Sequence, residues 1–267
     1  MSLRTPFPHC PLCGGPVGPV IGAFDCSRYP HYSDPLPKTL TWVQCGACGH
    51  VHTDGFWTAE GLAILLSQVH ASQIAEEQQV DDKRLLWAET VRQVQSHLPA
   101  PDSVFADTAR WLDVGCGDGT LVMVASEFGF DAAGIDTRNA TVERLQSFGY
   151  RAIEADFLSA ASSQPLDVVS MADVLEHLPY PLPALQKAHG MLKPAGLLYV
   201  SAPNMDCIAW RAMDRRKANP YWIELEHHHN FSRRLLMAAL RRCGFAPFAY
   251  GVSRRYKAGM EIIARKV

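Results

Sequence analysis

The apolar positions of this chain change their period along its length. Residues 1 to about 55 are broken by Pro and Gly and show little helical periodicity. Residues 56 to about 104 repeat at helical spacing. Leu62, Leu65, Leu66 and Val69 fall on one face of a first helix, and Leu85, Leu86, Val91 and Val94 on one face of a second, before the linker Pro99–Ser103. From Arg110 onward, short apolar runs alternate with helical ones. WLDV, GFDAAGID, YRAIEAD, LDVVSMAD and GLLYVSAP read as strands, and TLVMVASEFG, NATVERLQSFG and PLPALQKAHGMLK as helices. Such alternation predicts an α/β fold, a doubly wound and mostly parallel sheet covered on both faces, with ligands at the carboxyl ends of its strands. FSRRLLMAALRRCGF then reads as a last helix capped by Ser232 and burying Leu235, Leu236 and Leu240, followed by the closing strands AYGV and MEIIARKV. Three regions result: 1–55, 56–104 and 105–267.

Composition narrows the class. At 267 residues and 48% hydrophobic content, the chain can bury one large core plus a small appendage. No apolar run approaches the roughly 20 residues needed to span a bilayer, and the first residues lack a signal-peptide pattern, so a soluble cytoplasmic protein without a membrane segment is expected. Net charge is −2, but Ser201–Val267 holds thirteen Lys and Arg against five Asp and Glu, leaving residues 1–200 with twelve against twenty-two. Arg233, Arg234, Arg241 and Arg242 are either a solvated helix face or an attraction for an anionic substrate.

Four of the eight cysteines form two CxxC pairs, Cys10/Cys13 and Cys45/Cys48, each followed by Gly. Such a turn brings two thiolates to one ion, and two of them make the tetrahedral four-sulfur set that structural Zn²⁺ favours. With every position filled by sulfur, the ion would hold the fold and leave no open position for catalysis. The 31 residues between the pairs are expected to loop out, PHYSDPLPKTL being suited to that. Cys26, Cys116, Cys207 and Cys243 read as core filling.

The first strand ends in Asp113-Val-Gly115-Cys-Gly117-Asp-Gly119. A dinucleotide fingerprint would need Gly at position 120, where this chain has Thr. The GxGxG spacing, with an acid two residues before it, resembles motif I of the class I S-adenosylmethionine-dependent methyltransferases, and the similarity extends over about Arg110–Val267. DVLEHL at Asp173–Leu178 resembles the same family, as does the HxxxF(S/T) junction that begins at His227. The resemblance implies a Rossmann-like, seven-stranded sheet closed by an antiparallel hairpin, behind a small N-terminal zinc-ribbon module. It implies S-adenosylmethionine as cofactor, held by Asp113, Gly115, Gly117 and Gly119. Asp136 would take the ribose hydroxyls, Asp156 the adenine amino group with Phe157 beside the ring, and Asp173 the fourth strand end.

His227 is then expected over the transferred methyl group, facing Glu176 and His177. His228 and His229 are expected at the surface. Trp210, Tyr221 and Trp222 line the acceptor pocket or fill an interface. Two mechanisms stay open: His227 or His177 as general base, or a second divalent ion on Asp173, Glu176, His177 and His227, although the metal-dependent relatives have Glu where this chain has Asp173. The acceptor is expected to be a small molecule, a nucleotide-linked sugar or another anionic metabolite. An RNA methyltransferase and a non-catalytic S-adenosylmethionine-binding module are the rivals. The acidic first 200 residues disfavour nucleic acid.

Overall fold

The computed structural model describes residues 2–72, 77–99, 108–161 and 164–267. Strands β1 (Arg4–Pro6), β2 (Val20–Asp25), β3 (Thr39–Gln44), β4 (Val51–Thr53) and β5 (Gly55–Trp57) precede helices α1 (Ala59–Ser72) and α2 (Glu77–Gln95). The alternating region follows as β6 (Arg110–Val114), α3 (Thr120–Glu127), β7 (Asp131–Asp136), α4 (Asn139–Ser147), β8 (Arg151–Glu154), β9 (Leu166–Ala172), α5 (Pro181–Met191) and β10 (Leu192–Pro203). After it come α6 (Ile208–Arg215), β11 (His229–Asn230), α7 (Arg233–Arg242), β12 (Phe245–Val252) and β13 (Gly259–Lys266). Among the described residues, no helix is long and apolar enough to cross a membrane.

Seven strands form the large sheet in the order β12-β13-β10-β9-β6-β7-β8, with β13 antiparallel to both neighbours and the remaining pairs parallel. Strands covered on both faces need continuous apolar runs, and Val168, Val169, Met171, Leu197 and Leu198 are accordingly fully buried. The chain leaves β6 toward β7 and β8 but leaves β9 toward β10. A crevice therefore opens at the carboxyl ends of β6 and β9, the place where such sheets hold ligands.

Only part of the helical face predicted for 56–104 is covered. Leu65, Val91 and Val94 are fully buried and Trp87 nearly so, whereas Leu62 and Leu85 are 42% and 73% exposed. Val69 lies outside the residues whose side chains are described, and the linker Pro99–Ser103 lies outside the described residues from position 100 onward. Trp87, Val91 and Val94 share a core with Trp111 and Leu121, so α2 is packed into the large sheet's helical layer.

The segment between the CxxC pairs is more than a loop. It contains β2 and β3, paired antiparallel, with 26–38 as the connection. Leu36, Leu40 and Trp42 are buried with Trp57, Leu65 and Leu225, because alternating apolar positions in β3 face the helix α1 side. The N-terminal sheet runs β11-β4-β3-β2, beside a separate β1-β5 pair. Its edge strand β11 comes from the far end of the chain: His229 pairs with His52 and Asn230 with Val51, and Thr53 N donates to His228 O at 2.9 Å.

This pairing corrects the expectation that His228 and His229 lie at the surface. They are 2% and 0% exposed, beside His50 and His52 at 0%. The tract forms the edge strand that covers β4, so its side chains enter the junction between the small and large sheets. His50 Nε2 lies 3.0 Å from His229 Nδ1, and His229 Nε2 donates to Leu178 O at 2.8 Å. Burial keeps all four rings neutral, with neighbouring imidazoles adding to it at His50, His228 and His229, the last lowered to about 3. The unfolded chain takes up protons near the ordinary histidine value of about 6.5, before these buried rings can, so folding stability is full above that pH and falls below it. We expect a loss of about 1.4 kcal/mol per pH unit for each ring that stays neutral below 6.5, measured by denaturant unfolding between neutral pH and pH 5.5. His228→Gln should flatten that slope by close to one proton; an unchanged slope would mean that the ring is not held neutral.

Candidate active site and zinc-ribbon-like module

The two CxxC knuckles meet. Cys10 Sγ and Cys48 Sγ are 3.9 Å apart, Cys13 Sγ and Cys45 Sγ 3.5 Å, and all four sulfurs lie within 4.8 Å of one another. Corners of a zinc–sulfur tetrahedron with bonds of about 2.3 Å are about 3.8 Å apart, so the set fits Zn²⁺. Gly14 and Gly49 turn each knuckle at φ +77° and +79°, where a side chain would be strained. Amides of Leu12 and Cys13 point at the Cys10 sulfur, and those of Ala47 and Cys48 at the Cys45 sulfur. Arg242 donates to Leu12 O and Arg234 to Cys48 O, tying both knuckles to α7. Half of the basic helix stripe is therefore a clamp on this module.

At the crevice, the loop after β6 places Gly115, Gly117 and Gly119 at φ +65°, +53° and +79°. A Cβ at Gly119 would lie 2.4 Å from Leu145 Cδ2 and one at Gly115 2.9 Å from Val174 Cγ2, so the loop closes only with glycine there. Gly117 N donates to Asp136 Oδ2 at 3.0 Å. Burial alone would raise the Asp136 carboxyl, but the Arg138 guanidinium, bound to both of its oxygens at 2.8 Å, holds it below the usual range. Asp113 lies inside β6, 3% exposed and accepting from Ser170 Oγ at 2.6 Å; burial pushes its carboxyl up to about 7. Asp156 is exposed beyond β8 and accepts from Leu158 N, while Phe157 turns into the core with Lys187 Nζ 5.5 Å from its ring centre. Lys83 of α2 donates to Asp118 of the glycine loop at 2.5 Å, a tie that periodicity could not reveal.

The turn after β9 carries the candidate catalytic residues Glu176 and His177. Asp173 sits at φ +57°, a conformation costing an ordinary residue roughly 1–3 kcal/mol. Three contacts hold it: Ser201 Oγ donates to Oδ1 at 2.8 Å, Arg255 Nη1 donates to Oδ2, and Asp173 N donates back to Ser201 O at 3.1 Å. The Arg255 guanidinium lies 4.0 Å over the Trp87 ring of α2. Of the four residues proposed for a divalent ion, Glu176, His177 and His227 converge within 4.8 Å, and the Asp173 carboxylate is engaged by Arg255. The His177 and His227 rings are 4.7 Å apart, with Tyr221 6.3 Å from His227.

Their electrostatics differ. Burial pushes Glu176 up to about 8, Asp173 adding to this and His227 opposing it, and its buried Oε2 has no hydrogen-bond partner among the described residues. Burial would lower His227, but Glu224, whose Oε2 is 2.9 Å from Nδ1, together with Glu176 and Glu226 outweighs it and holds the ring at about 9. His177 is exposed, with Nδ1 3.2 Å from the carbonyl oxygen of Glu226. Desolvation by the groups packed around it and the His227 imidazole push His177 down to about 3, and because a carbonyl only accepts, the neutral ring carries its proton on Nδ1, while Nε2 has no hydrogen-bond partner among the described residues. Glu226 is in turn bound by Tyr29 Oη and by His31 Nδ1 from the N-terminal module, and His228 N donates to Glu176 O at 2.7 Å. Sequence reasoning missed Tyr29, His31, Glu224, Arg138 and Arg255; their spacing in the chain carries no signal of this convergence. Trp210, 1% exposed, stacks on Tyr221, and Trp222 packs on Phe24 and Trp42. The two tryptophans thus fill the interface, and Tyr221 alone among the three is near His227.

The family profile described as methyltransferase domain matches residues 80–249. The chain belongs to that family. A ubiquinone biosynthesis O-methyltransferase from Pseudomonas syringae is 35% identical over 101 residues, which cover 35% of this chain and 44% of that relative. The chain thus spans less than half the length of this curated methyltransferase. Among solved structures, a 1,6-didemethyltoxoflavin-N1-methyltransferase from Burkholderia thailandensis superposes with a TM-score of 0.58 at 18% identity, over 89% of this chain and 99% of its own. A magnesium protoporphyrin IX methyltransferase from Synechocystis gives 0.51 at 16% identity, over 69% and 80%. The fold of this methyltransferase domain is the seven-stranded, Rossmann-like one of class I. We expect Asp173→Asn, which tolerates positive φ and keeps the Ser201 contact but takes the carboxylate from Arg255, to cost about 2 kcal/mol in denaturant unfolding. Asp173→Val, which strains the turn and strands Arg255, should cost about 3 kcal/mol or more.

Proposed function

We propose that this methyltransferase transfers the methyl group of S-adenosylmethionine to a small anionic acceptor, a nucleotide-linked sugar being the leading class, with His177 as general base. The observation that supports it is His177 itself: an exposed residue of the turn after β9 whose Nδ1 meets the Glu226 carbonyl oxygen, so that Nε2 is the nitrogen able to accept a proton. S-adenosylmethionine supplies a methyl group already activated on a sulfonium. The glycine loop allows close backbone approach, Asp136 and Asp156 offer carboxylates to ribose and adenine, and Asp113 and Phe157 back the loop and strand ends from within. The acceptor's hydroxyl or amine gives its proton to His177 Nε2 as its bond to the methyl carbon forms and the carbon–sulfur bond breaks. His227, protonated at neutral pH, balances Glu224 and Glu176 and fixes the edge of the site. Because the leaving group is activated, positioning carries much of the remaining barrier.

The convergence of Glu176, His177 and His227 supports a second reading, in which two imidazoles and a carboxylate hold a divalent ion that polarises the acceptor oxygen. Zinc in the four-cysteine set is read as structural. The module supplies β4 to pair with β11, and Tyr29 and His31 to anchor Glu226, so its loss should reach His177.

Two outcomes are expected. His177→Ala should lower release of S-adenosylhomocysteine in a pool of nucleotide sugars by about 100-fold, without weakening S-adenosylhomocysteine binding or gaining chelator sensitivity. Turnover abolished by EDTA with the module's zinc still bound, and restored by Mg²⁺ or Mn²⁺, would establish the second reading. Cys13→Ser should lose about one zinc per chain by elemental analysis and nearly all turnover, yet keep S-adenosylhomocysteine binding within about threefold.

A further inference from the structure

A second concavity lies apart from the glycine loop. Asn204, Asp206, Cys207, Arg233, Arg234, Met237, Arg241 and Tyr250 line a cavity of about 530 Å³, within the range of roughly 300–1,000 Å³ that small-molecule sites occupy. Positions 233/234, 237 and 241 are one face of α7, so the helix presents three guanidinium groups to a single space. Among the described residues, none of the three has a carboxylate partner, in contrast to Arg138 and Arg255. Asp206 on the rim is exposed and makes no ion pair.

Other contacts hold two of these arginines in place. Arg233 lies 4.2 Å over the Tyr250 ring, and Arg234 donates to the Cys48 carbonyl oxygen at 3.2 Å. Asn204, 3% exposed, donates to Tyr250 Oη, fixing the floor. Three guanidinium groups gathered in a concave site with a single carboxylate, Asp206, on its lining repel one another, and the first turn of α7, with no acidic residue, adds the positive end of the helix dipole. Planar guanidinium groups match phosphate oxygens in paired hydrogen bonds, and three of them suit a group carrying more than one negative charge.

The cavity is also close to the reacting groups. Its floor residue Asn204 follows Ser201, the partner of Asp173, by three residues, or about 10 Å of extended chain. Met205 N donates to Phe231 O, which joins the rim to the strand that leads back to His227.

We propose that this three-arginine cavity binds the diphosphate of a small-molecule ligand. As the place where the acceptor's anionic end is held, it rests on the functional reading above; as a diphosphate site it does not.

The test is calorimetric titration of inorganic pyrophosphate, inorganic phosphate and S-adenosylhomocysteine into the zinc-loaded full chain and into Arg233→Gln/Arg241→Gln. We expect saturable 1:1 pyrophosphate binding, tighter than phosphate, weakened about tenfold or more by the double substitution and by raising salt from about 50 to about 300 mM, with S-adenosylhomocysteine affinity unchanged in the variant. Absence of saturable pyrophosphate binding in protein that still binds S-adenosylhomocysteine would overturn the proposal. Equal pyrophosphate affinity in the variant would do the same, as would binding of a single-stranded oligonucleotide with pyrophosphate inert. Pyrophosphate binding without S-adenosylhomocysteine binding would uphold this site and sink the methyl-transfer reading instead.

Discussion

The pairing of β11 with β4 is the contact on which the site's construction depends. A two-residue strand has little stability of its own, yet this one completes the N-terminal sheet and at the same time fixes the backbone that carries His227 and His228. His228 N reaches back to Glu176 O, and the Glu226 side chain is held by Tyr29 and His31. The 226–230 segment is therefore a splice: one edge is read by the cysteine-bearing module, the other by the turn after β9. Neither partner could set the geometry of the His177–His227 pair alone.

A second constraint acts from the opposite side. The turn that delivers Glu176 and His177 begins at a left-handed Asp173, and the strain is carried by the ring of contacts among Asp173, Ser201 and Arg255. Arg255 is covered by Trp87 of α2, and α2 also sends Lys83 to the glycine loop. Helix α2 thus braces both walls of the crevice, which accounts for Trp87, Val91 and Val94 being buried on it while Leu85 is exposed.

Charge is partitioned along the basic C-terminal third. Arg242 binds a knuckle carbonyl, Arg233 and Arg241 face the cavity beside Tyr250, and Arg234 does both, lining the cavity while donating to the Cys48 carbonyl. The helix face read from the sequence as solvated is thus in part a tie to the cysteine-bearing module. Positions one residue apart point about 100° apart around it.

Local chemistry made much of this legible in the sequence. Short continuous apolar runs and period-3.6 patterns marked β6 to β10 and α3 to α5, because buried parallel strands and amphipathic helices each impose their own spacing of apolar residues. The glycine loop and the paired cysteines were readable because a tight turn or a metal knuckle is made by neighbours in the chain. What remained hidden was long-range: His228 and His229 entering the core as a borrowed strand, Asp173 turned toward Arg255, and Glu226 held from 195 and 197 residues away. A residue's contacts along the chain follow from its neighbours. Contacts between segments far apart follow from how sheets pack and charges pair in three dimensions, and only the tertiary structure decided those.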